Sequence, residues 1–315
     1  MTVSFWTDKI RLPGWGRAAG GAGQNVAVSF EGEQFRYLLT QDGPAGGRRR
    51  LLRWGGLPRE QQTDARWASC IRALRLGGPV TAMLGPHQYQ LLTVDLPPVP
   101  DDELAAAARW RIKDMIQMPL DQVTTDVLRL PSPGGAPARQ MLVVVAPNEA
   151  IRQTMLQAQA AGLALAAIDI PELGLRNLAS AQQPVGAVAT LVAEGSECWF
   201  SLCEGGELLA QRRFPYDGES GVSERVVSEL QRSIDRLERQ FPELRLSALL
   251  VELGAWTADY VATLGGVTQL SCQALRPAAL FDTEGLDTLD ASGDLSWLAL
   301  AGLGLRAEAS PVTAS

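Results

Sequence analysis

The sequence offers few side chains with the chemistry of an enzyme. His87 is its only histidine and lies in the segment GPHQY. One histidine excludes a multi-histidine metal site and leaves a single candidate base for a nucleophilic triad, but no nucleophile motif lies near it. Asp101, Asp102 and Glu103 are neighbouring carboxylates of the kind used in general acid–base chemistry. Because they precede a helical segment, we interpret them as helix-capping residues and His87 as a loop residue.

The cysteines and glycines also lack the spacing of known sites. No C-x-x-C pair occurs, so the sequence predicts buried, reduced thiols and no zinc site at the four cysteines Cys70, Cys198, Cys203 and Cys272. The glycines of GWGRAAGGAG precede a strand pattern instead of following one, and no GK[ST] motif occurs. These facts exclude a dinucleotide fingerprint and a Walker loop. We interpret Trp199 and Trp256 as core residues, not as stacking platforms for a base.

The elements that would position a site follow a repeated order. In the first half, alternation and turn signals predict strands at 25–30, 35–40 and 50–54, a helix at 59–76 and a strand at 80–84. In the second half, they predict strands at 185–193, 198–203 and 208–213, a helix at about 220–239 and a strand at 246–253. Two copies of this unit predict an α/β fold built from a duplicated ribonuclease-H-like unit, with mixed sheets and helices on their faces.

A third block separates the two copies. It contains strand patterns at 90–96, 125–130 and 141–146, and helical patterns after Asp101 or Asp102 and after Asn148, each of which can cap its helix. The sequence therefore predicts a small α/β subdomain inserted in lobe one. The predicted organisation is a flexible segment (1–24), lobe one (25–180) with its insertion at about 87–160, lobe two (185–306) and a tail (307–315).

A duplicated unit of this kind suggests a nucleotide site between the lobes, at the two first hairpins. Backbone N–H groups of such turns can cradle phosphates while acidic side chains hold a metal ion. The turns here follow Val28 and Val192. Ser29 and Ala193 stand where an aspartate is expected before each turn, so the parts that phosphoryl transfer requires are missing.

Composition narrows the class of protein further. The 315 residues are 46% apolar and 20% charged, which is globular and long enough for two domains. A net charge of −7 argues against a nucleic-acid partner, and no apolar run approaches the roughly 18 residues of a membrane span. No secretory signal is recognisable, so we expect a soluble cytoplasmic protein.

The charge is unevenly distributed along the chain. Residues 1–53 carry eight basic and four acidic side chains, whereas 281–295 carry five acidic side chains and no basic one. The first segment could contact an anionic membrane, although solvated surface is the favoured interpretation.

Four motifs resemble PilM-type pilus assembly proteins and occur in the same order. They are DDELAAAARWRIKDMIQMPLDQVTTD (101–126), AGLALAAIDIPELGLRNLA (161–179), SELQRSIDRLE (228–238) and LALAGLGLR (298–306). The closing LGLR and the degenerate hairpin turns are most similar to the MshI branch, from mannose-sensitive haemagglutinin pilus systems. The resemblance implies an actin-like, two-lobed protein at the cytoplasmic face of the inner membrane of a Gram-negative bacterium.

The resemblance also implies partners and a cofactor. PilM-type proteins bind the cytoplasmic N-terminal peptide of an inner-membrane partner (PilN-like or MshJ-like) and act indirectly on the pilus assembly platform and its ATPase. They bind ATP between the lobes. Gly32, Gly195 and Gly254 match positions of that cleft, whereas Ser29, Ala193 and the pair Gly254-Ala255 depart from its pattern. We therefore expect a scaffold with a degenerate nucleotide cleft, in which ATP is a possible ligand and hydrolysis is not expected.

Two other functions are compatible with the same elements. One is an active ATPase or sugar-kinase-type enzyme, which would require nucleotide binding at the cleft. The other is the cytoplasmic domain of a GspL-like type II secretion protein, a family that normally continues into a transmembrane helix. The C-terminal sequence AEASPVTAS contains no such helix.

Overall fold

A computed structural model describes residues 23–44, 47–132, 138–218, 222–283 and 294–306. The predicted tail lies outside these residues, as does all of the predicted flexible segment except its last two residues. The strands are β1 (Gln24–Glu31), β2 (Gln34–Gln41), β3 (Arg49–Pro58), β4 (Val80–Met83), β5 (Gln90–Asp95), β6 (Val123–Leu130), β7 (Gln140–Pro147), β8 (Leu165–Asp169), β9 (Ala187–Glu194), β10 (Glu197–Glu204), β11 (Glu207–Pro215), β12 (Leu246–Glu252), β13 (Ser271–Ala274) and β14 (Phe281–Asp282). The helices are α1 (Asp64–Ala73), α2 (Leu104–Ile112), α3 (Asn148–Ala160), α4 (Pro171–Gln182), α5 (Glu224–Gln240), α6 (Thr257–Thr268) and α7 (Leu295–Gly304).

Two sheets repeat the same topology. The first has the order β14-β3-β2-β1-β4-β8 and the second the order β11-β10-β9-β12-β13. In each sheet an antiparallel three-strand meander is followed by a helix and a strand that returns parallel to the first strand of the meander. The predicted duplication is therefore confirmed. The third sheet, β5-β7-β6, lies between β4 and β8 along the chain and packs α2 on one face.

Several local predictions were wrong. Neither Asp101 nor Asp102 caps α2, because the helix begins after Glu103 without a side-chain cap, and Asp101 instead pairs with Arg129. Asn148 is the first residue of α3, and its amide donates to the carbonyl of Asp121.

Other boundaries and elements were also missed. Helix α1 is shorter than predicted, because the preceding turn places Glu60 at a φ of 41°, outside the right-handed helical region. The helix starts after Thr63, whose side-chain hydroxyl accepts a hydrogen bond from the Arg66 N–H. Helix α5 starts at Glu224. The sequence analysis assigned no element to α6, β13 or β14.

Helices α4 and α7 join the two lobes. Helix α4 follows β8, at one edge of the first sheet, and leads into β9, and α7 returns to pack against β1 and β2. All residues of α7 except Trp297 are buried, as expected for a helix that is apolar on every side. Asn25 and Thr40 donate side-chain hydrogen bonds to the carbonyls of Leu303 and Gly304, which fixes the end of α7 on the first sheet.

The two helices cross at glycines. A Cβ added at Gly174 would lie 2.3 Å from the carbonyl oxygen of Ala299, and one at Gly302 would lie 1.8 Å from the carbonyl oxygen of Gly174. Both obstacles are backbone atoms inside buried helices, so they cannot rotate away as a flexible side chain could. The helix axes can therefore approach this closely only if both residues are glycine.

None of the helices in the described parts of the chain has the length and hydropathy needed to span a bilayer.

The crossing gives a direct test. We expect Gly302→Ala to lower the free energy of unfolding by about 3 kcal/mol, because the new methyl group forces the two helices apart. Gly266→Ala in α6 is the matched control: its Cβ would meet no atom within 4 Å, so we expect a gain of roughly 0.5 kcal/mol. Urea unfolding of both variants measures the difference. A Gly302→Ala protein as stable as the control would show that the crossing tolerates a side chain.

Candidate nucleotide cleft

The first hairpin of each lobe ends in a tight turn with glycine. Strand β1 is followed by Gly32 and β9 by Gly195, with φ values of 57° and 56°. Glycine adopts this left-handed backbone conformation without the steric cost that other residues incur. A Cβ at either residue would meet no atom within 4 Å, so both turns are open on that side.

Ser29 and Ala193 lie on the strands before these turns. The Ser29 side chain is fully buried, and its hydroxyl has no hydrogen-bond partner among the described residues. Ala193 is buried and lies opposite Cys198 on the neighbouring strand. Neither side chain can carry charge, so neither can act as a carboxylate ligand of a metal ion. Among the residues that the structure describes, no group of three His, Cys, Asp or Glu is arranged to hold a metal.

Gly254 and Ala255 form a turn at the end of β12, on the same sheet edge as the end of its parallel neighbour β9. The buried carboxylate of Glu252 accepts hydrogen bonds from the Gly254 N–H (3.0 Å) and from the Thr257 hydroxyl (3.2 Å). The N–H of Leu253 donates to the same hydroxyl (2.8 Å). The protein itself therefore satisfies the N–H groups of Leu253 and Gly254 at this turn.

Three carboxylates meet at the first turn of α7. Glu194, the last residue of β9, accepts a hydrogen bond from the Leu295 N–H at 3.0 Å. Glu31, the last residue of β1, accepts one from the Ser296 hydroxyl, and Asp294 caps the helix by accepting from the Trp297 N–H at 3.1 Å. The N-terminus of a helix is an anion-binding site because its N–H groups are unpaired and its dipole is positive there. Here the protein's own side chains supply the anions.

Arg36 neutralises part of this cluster. Its guanidinium lies 3.1 Å from the carboxylate of Asp294 and 3.7 Å from that of Glu31. Partial burial raises the pKa of Glu194, and the nearby charges of Asp294 and Glu31 raise it further, whereas the Leu295 N–H and Arg36 oppose the rise. The site thus holds more negative than positive charge before any ligand arrives.

A second buried cluster connects the lobes. Arg213 of β11 donates to the carboxylate of Glu172 on α4 (2.7 Å) and to the hydroxyl of Tyr89 (2.9 Å), which itself donates to Glu172 (2.6 Å). The guanidinium lies 3.6 Å from the centre of the Trp199 ring and also donates to the carbonyl of Pro86 (3.3 Å). Because Tyr89 immediately precedes β5, this cluster ties the inserted subdomain, α4 and lobe two together.

Burial dominates the electrostatics of this second cluster. It raises the pKa of Glu172, and the Arg213 guanidinium acts in the opposite direction. Burial also raises the pKa of Tyr89 well above its ordinary value, so the phenol keeps the proton that it donates to Glu172. Arg213 is therefore the group that compensates a carboxylate whose side chain is 3% exposed.

The remaining candidate residues lie apart from both clusters. His87 is exposed in the turn before β5. Burial raises the pKa of Cys198 and Cys203 to about 12, so both thiols stay protonated. Cys70 is exposed, contrary to the prediction of buried cysteines, and Cys272 is partly buried. Trp256 packs against the second-lobe core, with its Nε1 donating to the carbonyl of Gly218.

The carboxylates at the first turn of α7 and Arg36 beside them were not predicted as site residues from the sequence. One signal was present: in both repeats the glycine of the first hairpin follows a glutamate, Glu31-Gly32 and Glu194-Gly195. The contacts themselves join distant parts of the chain, since Glu31 and Ser296 are 265 residues apart. Local spacing contains no information about them.

The fold is similar to that of solved structures. A chain of the "PilM-PilN type IV pilus biogenesis complex" superposes with a TM-score of 0.66 at 16% identity, covering 90% of this chain and 98% of that one. The cytoplasmic domain of EpsL, an inner-membrane component of the type II secretion system of Vibrio cholerae, gives a TM-score of 0.49 at 12% identity, covering 89% and 94%. A Bacteroides thetaiotaomicron protein with an actin-like ATPase fold gives 0.47 at 11%, covering 78% and 87%.

No family model and no curated protein matches the sequence. The likeness to the PilM chain shows the fold: the protein is a two-lobed, actin-like α/β protein with an inserted subdomain.

The second cluster predicts a pH-dependent loss of stability. We expect Arg213→Ala to lower the free energy of unfolding by about 3–5 kcal/mol near neutral pH, because it leaves Glu172 buried without its cation. The pKa of Glu172 is already raised in the folded protein, so its contribution is most favourable below the ordinary carboxyl pKa and is lost as pH rises through the raised value. Removing Arg213 raises that pKa further, so the variant should lose more stability at about pH 8 than at about pH 5.

Denaturant unfolding at both pH values measures this effect. The control is Glu172→Gln combined with Arg213→Ala, which removes the uncompensated charge and should recover stability at the higher pH. An equal loss at both pH values would contradict a role for the Glu172 charge.

Proposed function

We propose that this protein is a scaffold of a type IV pilus assembly machine, of the MshI branch of the PilM family. It binds the cytoplasmic N-terminal tail of a PilN-like or MshJ-like inner-membrane protein, at the cytoplasmic face of that membrane, and acts indirectly on the assembly platform and ATPase. The order of the four motifs over residues 101–306 supports this proposal. The likeness of the fold to a chain from a PilM-PilN complex also supports it.

The nucleotide cleft of this scaffold is degenerate, so the protein is a pseudo-ATPase. The observation that carries this part is the filling of the α7 N-terminus by Glu31, Glu194 and Asp294. A phosphate at the two hairpins would approach carboxylates that, among the described residues, only Arg36 offsets. Two unit charges 4 Å apart repel by roughly 4 kcal/mol at the effective dielectric near a protein surface. A phosphate would also have to replace hydrogen bonds that the helix already makes.

The second candidate is a PilM-type protein that retains ATP binding without hydrolysis. One observation favours it: the turns at Gly32 and Gly195 keep the open backbone geometry of a phosphate cradle. In this case the carboxylates of Glu31 and Glu194 would have to turn away from α7 when the nucleotide binds. The two candidates differ in their response to Mg-ATP.

The degenerate cleft predicts that Mg-ATP does not stabilise the protein. A ligand present at about 100 times its Kd adds roughly 2.7 kcal/mol, which moves the melting temperature of a protein of this size by several degrees. We therefore expect the same melting temperature with and without about 1 mM Mg-ATP, a concentration that would reveal a Kd near 10 µM or below. A concentration-dependent rise in melting temperature would favour the second candidate.

The scaffold proposal predicts binding of a membrane partner's tail. Isothermal titration with the N-terminal cytoplasmic peptides of candidate bitopic inner-membrane proteins should give saturable binding, and a scrambled peptide should not. We place the groove in lobe one, between its sheet and the inserted subdomain, where α3 contacts β6, β7 and β8. Leu156 of α3 is 48% exposed there, so we expect Leu156→Ser to weaken binding about tenfold.

Val267→Ser is the matched control for this titration. Val267 is a comparably exposed apolar residue (42%), but it lies on α6 of lobe two. Its substitution should leave the affinity unchanged. Binding of none of the candidate tails would count against the scaffold function, and equal effects of the two substitutions would count against the groove.

A further inference from the structure

One surface of lobe one carries a charge opposite to that of the whole chain. Residues 48–75, which include β3 and α1, contain eight arginines and two acidic residues, whereas the net charge of the protein is −7. Six of these arginines are exposed, and four of the six are called the arginine face below: Arg53, Arg66, Arg72 and Arg75.

Ion pairs do not account for the arginine face. Arg49 pairs with Asp42, and Arg59 pairs with Asp64. Within the described ranges, by contrast, none of the four arginines of the face forms a salt bridge. The acidic side chains nearest in sequence are Glu60 and the already paired Asp64, both before or at the start of α1. The end of α1 therefore presents positive charge to solvent.

Favourable interactions with helix ends explain the positions of only two of these four arginines. Arg53 donates to the carbonyl of Leu74 (2.8 Å) and Arg72 to that of Ala160, so these two side chains satisfy backbone acceptors near helix ends. Arg66 lies in the first turn of α1, where a cation opposes the dipole, and makes no side-chain hydrogen bond to a described residue. Its charge therefore does not stabilise the helix dipole and remains available to an external anion.

The side chains of this surface favour an anionic lipid partner over a peptide. The exposed large apolar side chains of the described residues, which could anchor a peptide, all lie outside it: Trp110, Met115, Leu156, Val185 and Val267. Three cavities formed by described residues have linings that do not include any of the four arginines. A cationic surface without exposed large apolar side chains matches an array of anionic headgroups better than an extended peptide, which needs apolar anchors and pockets for its side chains.

We propose that the arginine face docks on the anionic phospholipid surface of a membrane. Each arginine held near such a surface increases partitioning about fivefold, so the four together give a salt-sensitive contact that is too weak for an anchor. This contact would orient the proposed scaffold while a partner's tail holds it. Since docking on lipid needs no partner peptide, it can succeed or fail independently of the proposed function.

Vesicle sedimentation with the full-length protein tests the proposal. Vesicles of equal parts phosphatidylglycerol and phosphatidylcholine should bind the protein at about 0.05 M salt and release it at about 0.5 M salt, where screening is strong. Vesicles of phosphatidylcholine alone should not bind it. Absence of binding at low salt, or equal binding to both kinds of vesicle, would overturn the proposal.

Matched charge reversals locate the contact. We expect R66E/R75E to lower partitioning at least twentyfold, since two attractive charges become repulsive. The control R225E/R236E makes the same change in net charge at two exposed arginines of α5 in lobe two and should have a much smaller effect. Equal losses for both variants would overturn the assignment of this face.

Two further measurements make the comparison decisive. The melting temperature of each variant shows whether it is folded, and R66Q/R75Q replaces the charge reversal if that variant is destabilised. Binding to a poly-glutamate peptide with no binding to anionic vesicles would assign the face to an acidic protein segment and overturn the lipid assignment.

Discussion

The close crossing of α4 and α7 is the constraint on which the rest of the interlobe structure depends. Backbone atoms of the two helices meet at Gly174 and Gly302, so their relative position cannot be adjusted by side-chain rotation. Helix α7 is consequently fixed between the two sheets, with its end tied to β1 and β2. Its first turn is thereby held at the ends of β1 and β9, where the two hairpins converge.

This position creates an electrostatic requirement. The unpaired N–H groups at the start of α7 lie between the lobes and need acceptors, because buried donors without partners destabilise the fold. A bound phosphate would meet this requirement in a nucleotide-binding protein. Here Glu194 and Asp294 accept from N–H groups of the first turn, and Glu31 accepts from the Ser296 hydroxyl beside them. The position of α7 therefore explains why carboxylates of both lobes contact its first turn. It also explains why a nucleotide would encounter negative charge there.

The sequence allowed prediction of those features that periodicity and turn residues encode locally. The duplicated meander, helix and strand were predicted because buried strands and amphipathic helices have different periods, and Gly32 and Gly195 were recognised by the turns around them. Helix ends were predicted less well, since Asp101 and Asn148 have capping side chains but make other contacts in the fold. The interlobe contacts could not be predicted, because their partners come from opposite ends of the chain.

The cluster around Arg213 also joins the lobes through matched charges, and it includes the inserted subdomain. Arg213 approaches a buried carboxylate, a phenol and an indole ring that come from different parts of the chain. A buried guanidinium is tolerated only when its donors and charge are matched, so any rotation of lobe two away from α4 would leave Arg213 and Glu172 unmatched together. Both interlobe clusters thus make lobe separation costly without any ligand. This cost is compatible with the scaffold proposed above, whose function would not require one lobe to move relative to the other.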